Sequence, residues 1–204
     1  MASEALTRSV LALALACVAC GPEGIGMDEM GEAPESIVED PEQEIEGAID
    51  DLEIIVQGVV DDYLVGVEPE WAEGTVHLCP HPIGSPSAGH AGLTPGEDVD
   101  CNAREDGLCV PEEGGEGPGI YDTIFYTMNS VWVGAGFEKS EPHAFRYDLF
   151  VLNEQLDQDY ANCRFTAAAY ADLDDDGIFS TYERRGELSE SGVLIDPMLY
   201  VTEE

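Results

Sequence analysis

Two different hydrophobic periods in one chain narrow the folds open to it. The stretch EIEGAIDDLEIIVQGVVDDYLVG places Ile45, Ile49, Leu52, Val56, Val59 and Tyr63 at alternating steps of four and three. That spacing stacks them on one side of a helix, and the opposite side is acidic. Gly47 and Gly58 each weaken a helix by up to ~1 kcal/mol relative to Ala, so packing has to hold this one together. The pattern predicts one amphipathic helix over residues 44–64.

After Ile120 the period falls to two, in SVWVGAGF, then HAFRYDLFVL, then CRFTAAAYADL. In the third segment Cys163, Phe165, Ala167, Ala169 and Ala171 share one face, while Arg164, Thr166, Tyr170 and Asp172 share the other. Such segments predict half-buried antiparallel strands. The tail FSTYERRGELSESGVLIDPMLYVTEE reads as two more strands turning at Ser191-Gly192, with Pro197 marking an edge or an irregular end. The sum is an α+β fold over residues 43–204, in which one long amphipathic N-terminal helix packs on an antiparallel β-sheet. A chain of roughly 150 residues is enough for one such core.

Between His77 and Gly119 the chain is rich in Pro and Gly and carries Cys79, Cys101 and Cys109. A loop of that length without a hydrophobic period needs covalent support. With Cys163 these make four cysteines and three alternative pairings, each bridge adding ~2 to 4 kcal/mol. Cys79 and His81 stand two apart, with His90, Cys101 and Cys109 nearby, but this lacks the paired C-x-x-C spacing of structural zinc sites.

The leader decides between these uses of cysteine. MASEALTRSVLALALACVAC opens with a segment carrying Arg8, continues with an apolar run from Val10 to Ala19, and ends on small residues and a cysteine. This is the pattern of a signal peptide over residues 1–20, and the run is about half the ~20 residues a spanning helix needs. Small residues before a cysteine mark an acceptor of acyl chains. Cys20 is favoured, because Gly21 and a polar, Pro-containing stretch follow it; Cys17 is the alternative. The expected product is exported and membrane-anchored in the bacterial cell envelope, at the outer membrane or cell surface, where its cysteines oxidise. Residues 21–42 are rich in Glu, Asp, Gly and Pro, and predict a flexible acidic tether.

The net charge of −37 bears on partners. Only Glu4 and Arg8 among the charged residues lie in the leader, so the charge survives its removal. Such a surface repels nucleic acid and anionic lipid head groups and draws cations. Adaptation to high salt accounts for it as well, and Lys139 as the only lysine fits that account.

The sharpest local motif is DLDDDGIFSTYE, which matches the twelve-residue calcium loop D-x-[DN]-x-[DN]-G-x5-E at each specified position. Carboxylates of Asp172, Asp174 and Asp176 would converge on a hard cation, Gly177 would permit the sharp turn, and the Ile178 carbonyl, Ser180 and Glu183 would complete the shell. No helix pair flanks the loop, however. A strand after it would turn Glu183 away and leave a partial site of three aspartates.

No G-x-S-x-G, H-E-x-x-H or Walker-type loop is present, so the residues argue for no enzyme. Trp71, Trp132 and the aromatic strand residues read as core.

The order VWVGAGF, HAFRYDLF, RFTAAAYADLDDDGIFSTYERRGEL, GVLIDPMLYVTEE resembles the globular head of type IV pilin-like proteins over residues 121–204. In that group an aromatic strand pair leads into F-T-A-x-A-x-x-D-L-D-x-D-G-x-x-S-T-F/Y and a final hairpin. The segment from Phe165 to Tyr182 carries most of the likeness. The resemblance implies that the helix over residues 44–64 is the amphipathic half of a spine helix lying across an antiparallel sheet. The chain departs from the family in lacking the cleaved leader followed by a long apolar assembly helix. These readings together predict a lipid-anchored, non-enzymatic envelope protein whose pilin-like head meets a protein or surface partner, with calcium stiffening its Asp-rich turn. The alternatives are an EF-hand-like, calcium-responsive exported protein and, below it, a periplasmic hydrolase, which would need a cleft with a nucleophile or a water-activating metal.

Overall fold

An aspartate and a proline start the helix four residues before the apolar period, which opens at Ile45. In a computed structural model describing residue 38 and residues 40–197 and 199–202, helix α1 runs Pro41–Val65. Asp40 accepts from the Gln43 amide at 3.1 Å, and Pro41 takes the first turn, where no backbone donor is missed. Residues 41 and 42, read above as tether, are therefore helical. The leader, with Cys17 and Cys20, and the tether up to residue 37 lie outside the described residues.

The remaining elements are β1 (Ala88–His90), a 3-10 turn at Cys101–Ala103, β2 (Val110–Glu112), β3 (Ile120–Asp122), α2 (Ile124–Met128) and α3 (Ser130–Ala135). They are followed by β4 (Arg146–Glu154), β5 (Asn162–Ala171), β6 (Ser180–Ser189), β7 (Gly192–Ile195) and β8 (Tyr200–Thr202). The main sheet is antiparallel in the order β1-β4-β5-β6-β7, with β8 also paired to β6. β7 opposes Gly186 to Ser189 and β8 opposes Thr181 to Glu183, so the two act as one edge strand interrupted at Pro197. A ring that fixes φ and removes a donor belongs at such a break. β2 and β3 make a separate two-stranded parallel ribbon.

α1 packs on β5, β6 and α3. Its buried residues are Ala48, Asp51, Leu52, Ile55, Val56, Val59 and Tyr63, while Ile45 and Ile49 stay partly exposed at its start. Beneath it the inward residues of the strands alternate as expected, including Tyr147, Leu149 and Val151 of β4 and Cys163, Phe165, Ala167 and Ala169 of β5. Arg184 of β6 reaches across to Glu53 of α1.

One predicted strand is a helix. SVWVGAGF forms α3, because the Asn129 side chain caps the Val131 amide at 2.9 Å and Gly136 closes the turn in the left-handed region at φ 60. Val131, Trp132 and Ala135 then face inward together, which is helical spacing and not alternation. This placement also explains Gly58 of α1. A Cβ there would collide with the Ala135 carbonyl, so the glycine that weakens the helix is what admits α3 beside it.

The four cysteines pair as Cys79–Cys163 and Cys101–Cys109, with Cα atoms 5.9 and 4.6 Å apart. The first ties the loop after α1 to the inner face of β5; the second closes a short loop. Both thiol pairs are consumed, which removes the zinc arrangement and places the protein in an oxidising, exported compartment.

The covered face also holds polar groups, each with partners. Lys139, the only lysine, donates to Asp51 at 2.7 Å, and the Tyr147 hydroxyl donates to the same carboxylate oxygen. His143 lies between the Phe145 carbonyl and the Tyr121 hydroxyl, the latter at 2.8 Å. A carbonyl only accepts, so Nδ1 carries the proton and Nε2 accepts from the tyrosine. Burial, with the Lys139 charge adding to it, pushes the His143 pKa down to about 3, so its ring is neutral.

Candidate cation site at the β5–β6 turn

The Asp-rich motif forms the turn between β5 and β6. Asp172 follows the last residue of β5, Gly177 sits at φ +85, and Ser180 opens β6 opposite Ala171. One oxygen from each of Asp172, Asp174 and Asp176 lies within 4.8 Å of the others. Calcium holds its oxygens at ~2.3 to 2.6 Å, so oxygens sharing one ion stand no more than about 5 Å apart. The three carboxylates meet that condition.

The turn's own backbone orders them. Asp172 accepts from the amides of Gly177 at 3.0 Å and Asp176 at 3.2 Å, and Asp176 accepts from Ile178 at 2.8 Å. Asp175, between them, accepts from the Asn102 side-chain amide at 2.9 Å, which fastens the turn to the segment closed by Cys101–Cys109. Burial raises the Asp172 pKa and the Asp176 charge adds to it, while the amides of Gly177, Asp176 and Asp175 oppose both. A divalent cation among the three would favour the ionised forms instead.

Glu183, the twelfth residue of the predicted shell, does not gather with them. Glu183 lies on β6 opposite Ala168, and its carboxylate takes Arg185. A strand advances ~3.3 Å per residue, which carries Glu183 about 10 Å beyond Ser180. An exit helix would have curled the twelfth residue back to the ion, and here there is a strand. Ile178 follows the turn and Ser180 opens β6, so both stand next to the three aspartates in the chain. The structure thus keeps three aspartates of the loop's ligand set, and calcium would need carbonyls and water for the remainder.

The histidines are dispersed. His77 stacks on Tyr160 with ring centroids 4.1 Å apart, His81 bonds the Cys79 carbonyl at 3.0 Å, and His143 is in the core. Among the described residues the three aspartates are the only group with metal-ligand spacing. Trp132 is buried as expected, but Trp71 is 52% exposed beside Asp157 and Gln158, at a cavity of about 530 Å³. Alternation gave no warning of this, because Trp71 stands outside both periodic regions. The Asn102 contact was equally hidden, joining positions far apart in sequence.

No helix among the described residues is long and apolar enough to cross a membrane. Compared with protein-family models, curated proteins and solved structures, the chain shows no match.

Proposed function

We propose that this chain is an exported envelope protein whose pilin-like head is held at a membrane by acyl chains on Cys20 and acts by presenting its surfaces to a partner, not by transforming a substrate. The observation that carries this reading is α1 packed across one face of an antiparallel sheet, against its adjacent strands β5 and β6. That is the arrangement the resemblance implies for a spine helix and its head. The two disulfides support the compartment. The apolar run before Cys20 is too short to span a bilayer, and acyl chains supply the anchor in its place; stable anchoring usually takes two such signals. The three aspartates brace the β5–β6 turn when a hard cation such as calcium joins them.

The direct experiment is incorporation of labelled palmitate in a bacterial host, followed by fractionation. The chain should carry label and sediment with membranes, and Cys20→Ser should lose both. Label retained in Cys20→Ser and lost in Cys17→Ser would move the anchor to Cys17. Label absent from the unaltered chain would overturn the lipoprotein reading.

A further inference from the structure

The face of the sheet away from α1 holds a cavity that the proposed function does not use. On β4, Arg146, Asp148 and Phe150 point outward, between the buried Tyr147, Leu149 and Val151. Together with Tyr170 of β5, Arg146 and Asp148 line an open cavity of about 1010 Å³, whose other lining residues are His90, Phe179 and, from the loop between β1 and β2, Leu93, Glu97 and Asp100. Ligand pockets run ~300 to 1,000 Å³ and combine apolar walls with a few placed polar groups.

The polar groups here are unequal. The Arg146 guanidinium is already engaged: it donates to the Val99 carbonyl at 2.7 Å and lies 5.7 Å from the Phe179 ring centroid. Burial lowers its pKa, and the charges of Asp100, Glu97, Asp98 and Asp172 counter that, so carboxylates outnumber the one cation around it. Asp148 is only half satisfied. Its Oδ2 meets His90 Nε2 at 2.8 Å, whereas its Oδ1 is buried without a hydrogen-bond partner. An unpaired buried acceptor costs about 1–3 kcal/mol, and folded proteins leave few of them. His90, which covers this carboxylate, is itself exposed, so rotating its ring opens access from the cavity.

We propose that this cavity binds an organic cation, an ammonium group on an apolar or aromatic stem, whose head donates to the Asp148 carboxylate while its stem lies against Phe179, Tyr170 and Leu93. Three independent features favour a cation. Glu97, Asp100 and Asp148 against Arg146 leave the lining net negative when His90 is neutral. The buried Asp148 Oδ1 lacks a hydrogen-bond partner, and an ammonium donor would satisfy it. The chain's charge of −37 concentrates cations near any of its clefts. The ammonium belongs either to a free amine or to a lysine side chain, and the same chemistry serves both.

The test is isothermal titration of the full chain, oxidised and in the presence of a chelator, with phenethylammonium chloride and with Nα-acetyl-lysine methylamide. Saturable one-to-one binding of the first alone identifies a free amine, and of the second alone a lysine side chain; either supports the proposal. Phenylacetate, of similar shape and opposite charge, should not bind. Asp148→Asn should weaken binding at least tenfold, and Phe179→Ala, on an exposed ring, should weaken it independently should the first variant disturb the strand. Glu112→Gln removes the same charge on β2, which does not line the cavity, and should leave affinity unchanged. No saturable binding of either cation, equal binding of phenylacetate, or equal weakening by Glu112→Gln and Asp148→Asn would overturn the proposal. None of these outcomes touches the lipid anchor, so the two readings fail separately.

Discussion

The two faces of the main sheet use the same strands differently. On the face under α1, Asp51 is matched by Lys139 and Tyr147, His143 by Tyr121 and Phe145, and Asn153 by the backbone of Cys79 and Pro86. On the other face Asp148 leaves one oxygen unmatched, and Phe150, Phe179 and Leu194 stay open to solvent. On the covered face Arg184 Nε is also buried without a partner, but its Nη1 and Nη2 are held by the Asp196 carbonyl and Glu53, and since unpaired polar groups are costly where burial is deep, this face is set by stability. The second face tolerates shortfalls, and a shortfall beside a cavity invites a ligand. The lesson is one of assignment: fold determinants are to be sought under the helix and binding determinants away from it.

Adjacent residues of β4 give the hardest test of that division. Leu149 is fully buried in the core, while Phe150, next in sequence, is 48% exposed. Leu149→Ala should cost about 2–5 kcal/mol through lost transfer energy and a cavity. Phe150→Ala should cost less than about 1 kcal/mol, because its ring leaves water only in part. Urea melts of the two variants check this, and equal losses would break the division between the faces.

A smaller effect tests the helix-covered side by pH. The folded His143 pKa of about 3 lies below the ordinary 6.5, so between these values the unfolded chain binds more protons. Stability contributed by the neutral ring is therefore present above pH 6.5 and is lost as pH falls toward 3. Asp62 acts with the opposite sign. Burial lifts its pKa to about 6 from 3.8, against the lowering effect of His81, so in that window the folded chain binds more protons and stability rises as pH falls. The two overlap, and a variant is needed to part them. His143→Gln, which can still bond Tyr121, should flatten the acid limb, so that the loss of Tm between pH 7 and pH 4.5 shrinks by about 5 °C. Melting curves across that range check it, and an unchanged acid limb would remove His143 from the account.

The sequence disclosed the covered face better than the open one. Period four-three placed Leu52, Val56, Val59 and Tyr63 inward, and period two sorted β5 correctly, because burial on one face imprints alternation directly. It failed at α3, where Val131, Trp132 and Ala135 satisfy a short helix as readily as a strand and the caps at Asn129 and Gly136 decide. Gly58 could be read only as a defect until Ala135 appeared beside it. The pairing of Cys79 with Cys163 and the buried contact of Lys139 with Asp51 join positions 84 and 88 residues apart, and no local pattern reports such contacts. The cation motif was legible in its aspartates and misleading at Glu183, since the twelve-residue spacing presumes a helix that β6 replaces. Asp148 carried the least signal of all, an outward polar position in a strand like many others.

The smallest expected effect lies where the two faces meet. The β5–β6 turn sends Tyr170 and Phe179 to the open cavity and is followed by Tyr182 in the core. If Asp172, Asp174 and Asp176 hold calcium, saturation to ten times Kd should stabilise the fold by about 1.4 kcal/mol, a Tm rise of a few degrees. Asp174→Ala with Asp176→Ala should abolish the rise, and a melting temperature equal in calcium and in chelator for the unaltered chain would remove the site. The affinity then discriminates between roles. Three carboxylates with carbonyls and water form a shell short of the full loop set, so millimolar binding that changes only Tm marks a brace for the hairpin. Micromolar binding that also alters affinity for the phenethylammonium probe would couple the turn to the open face through Tyr170 and Phe179, and would make calcium a regulator of that face.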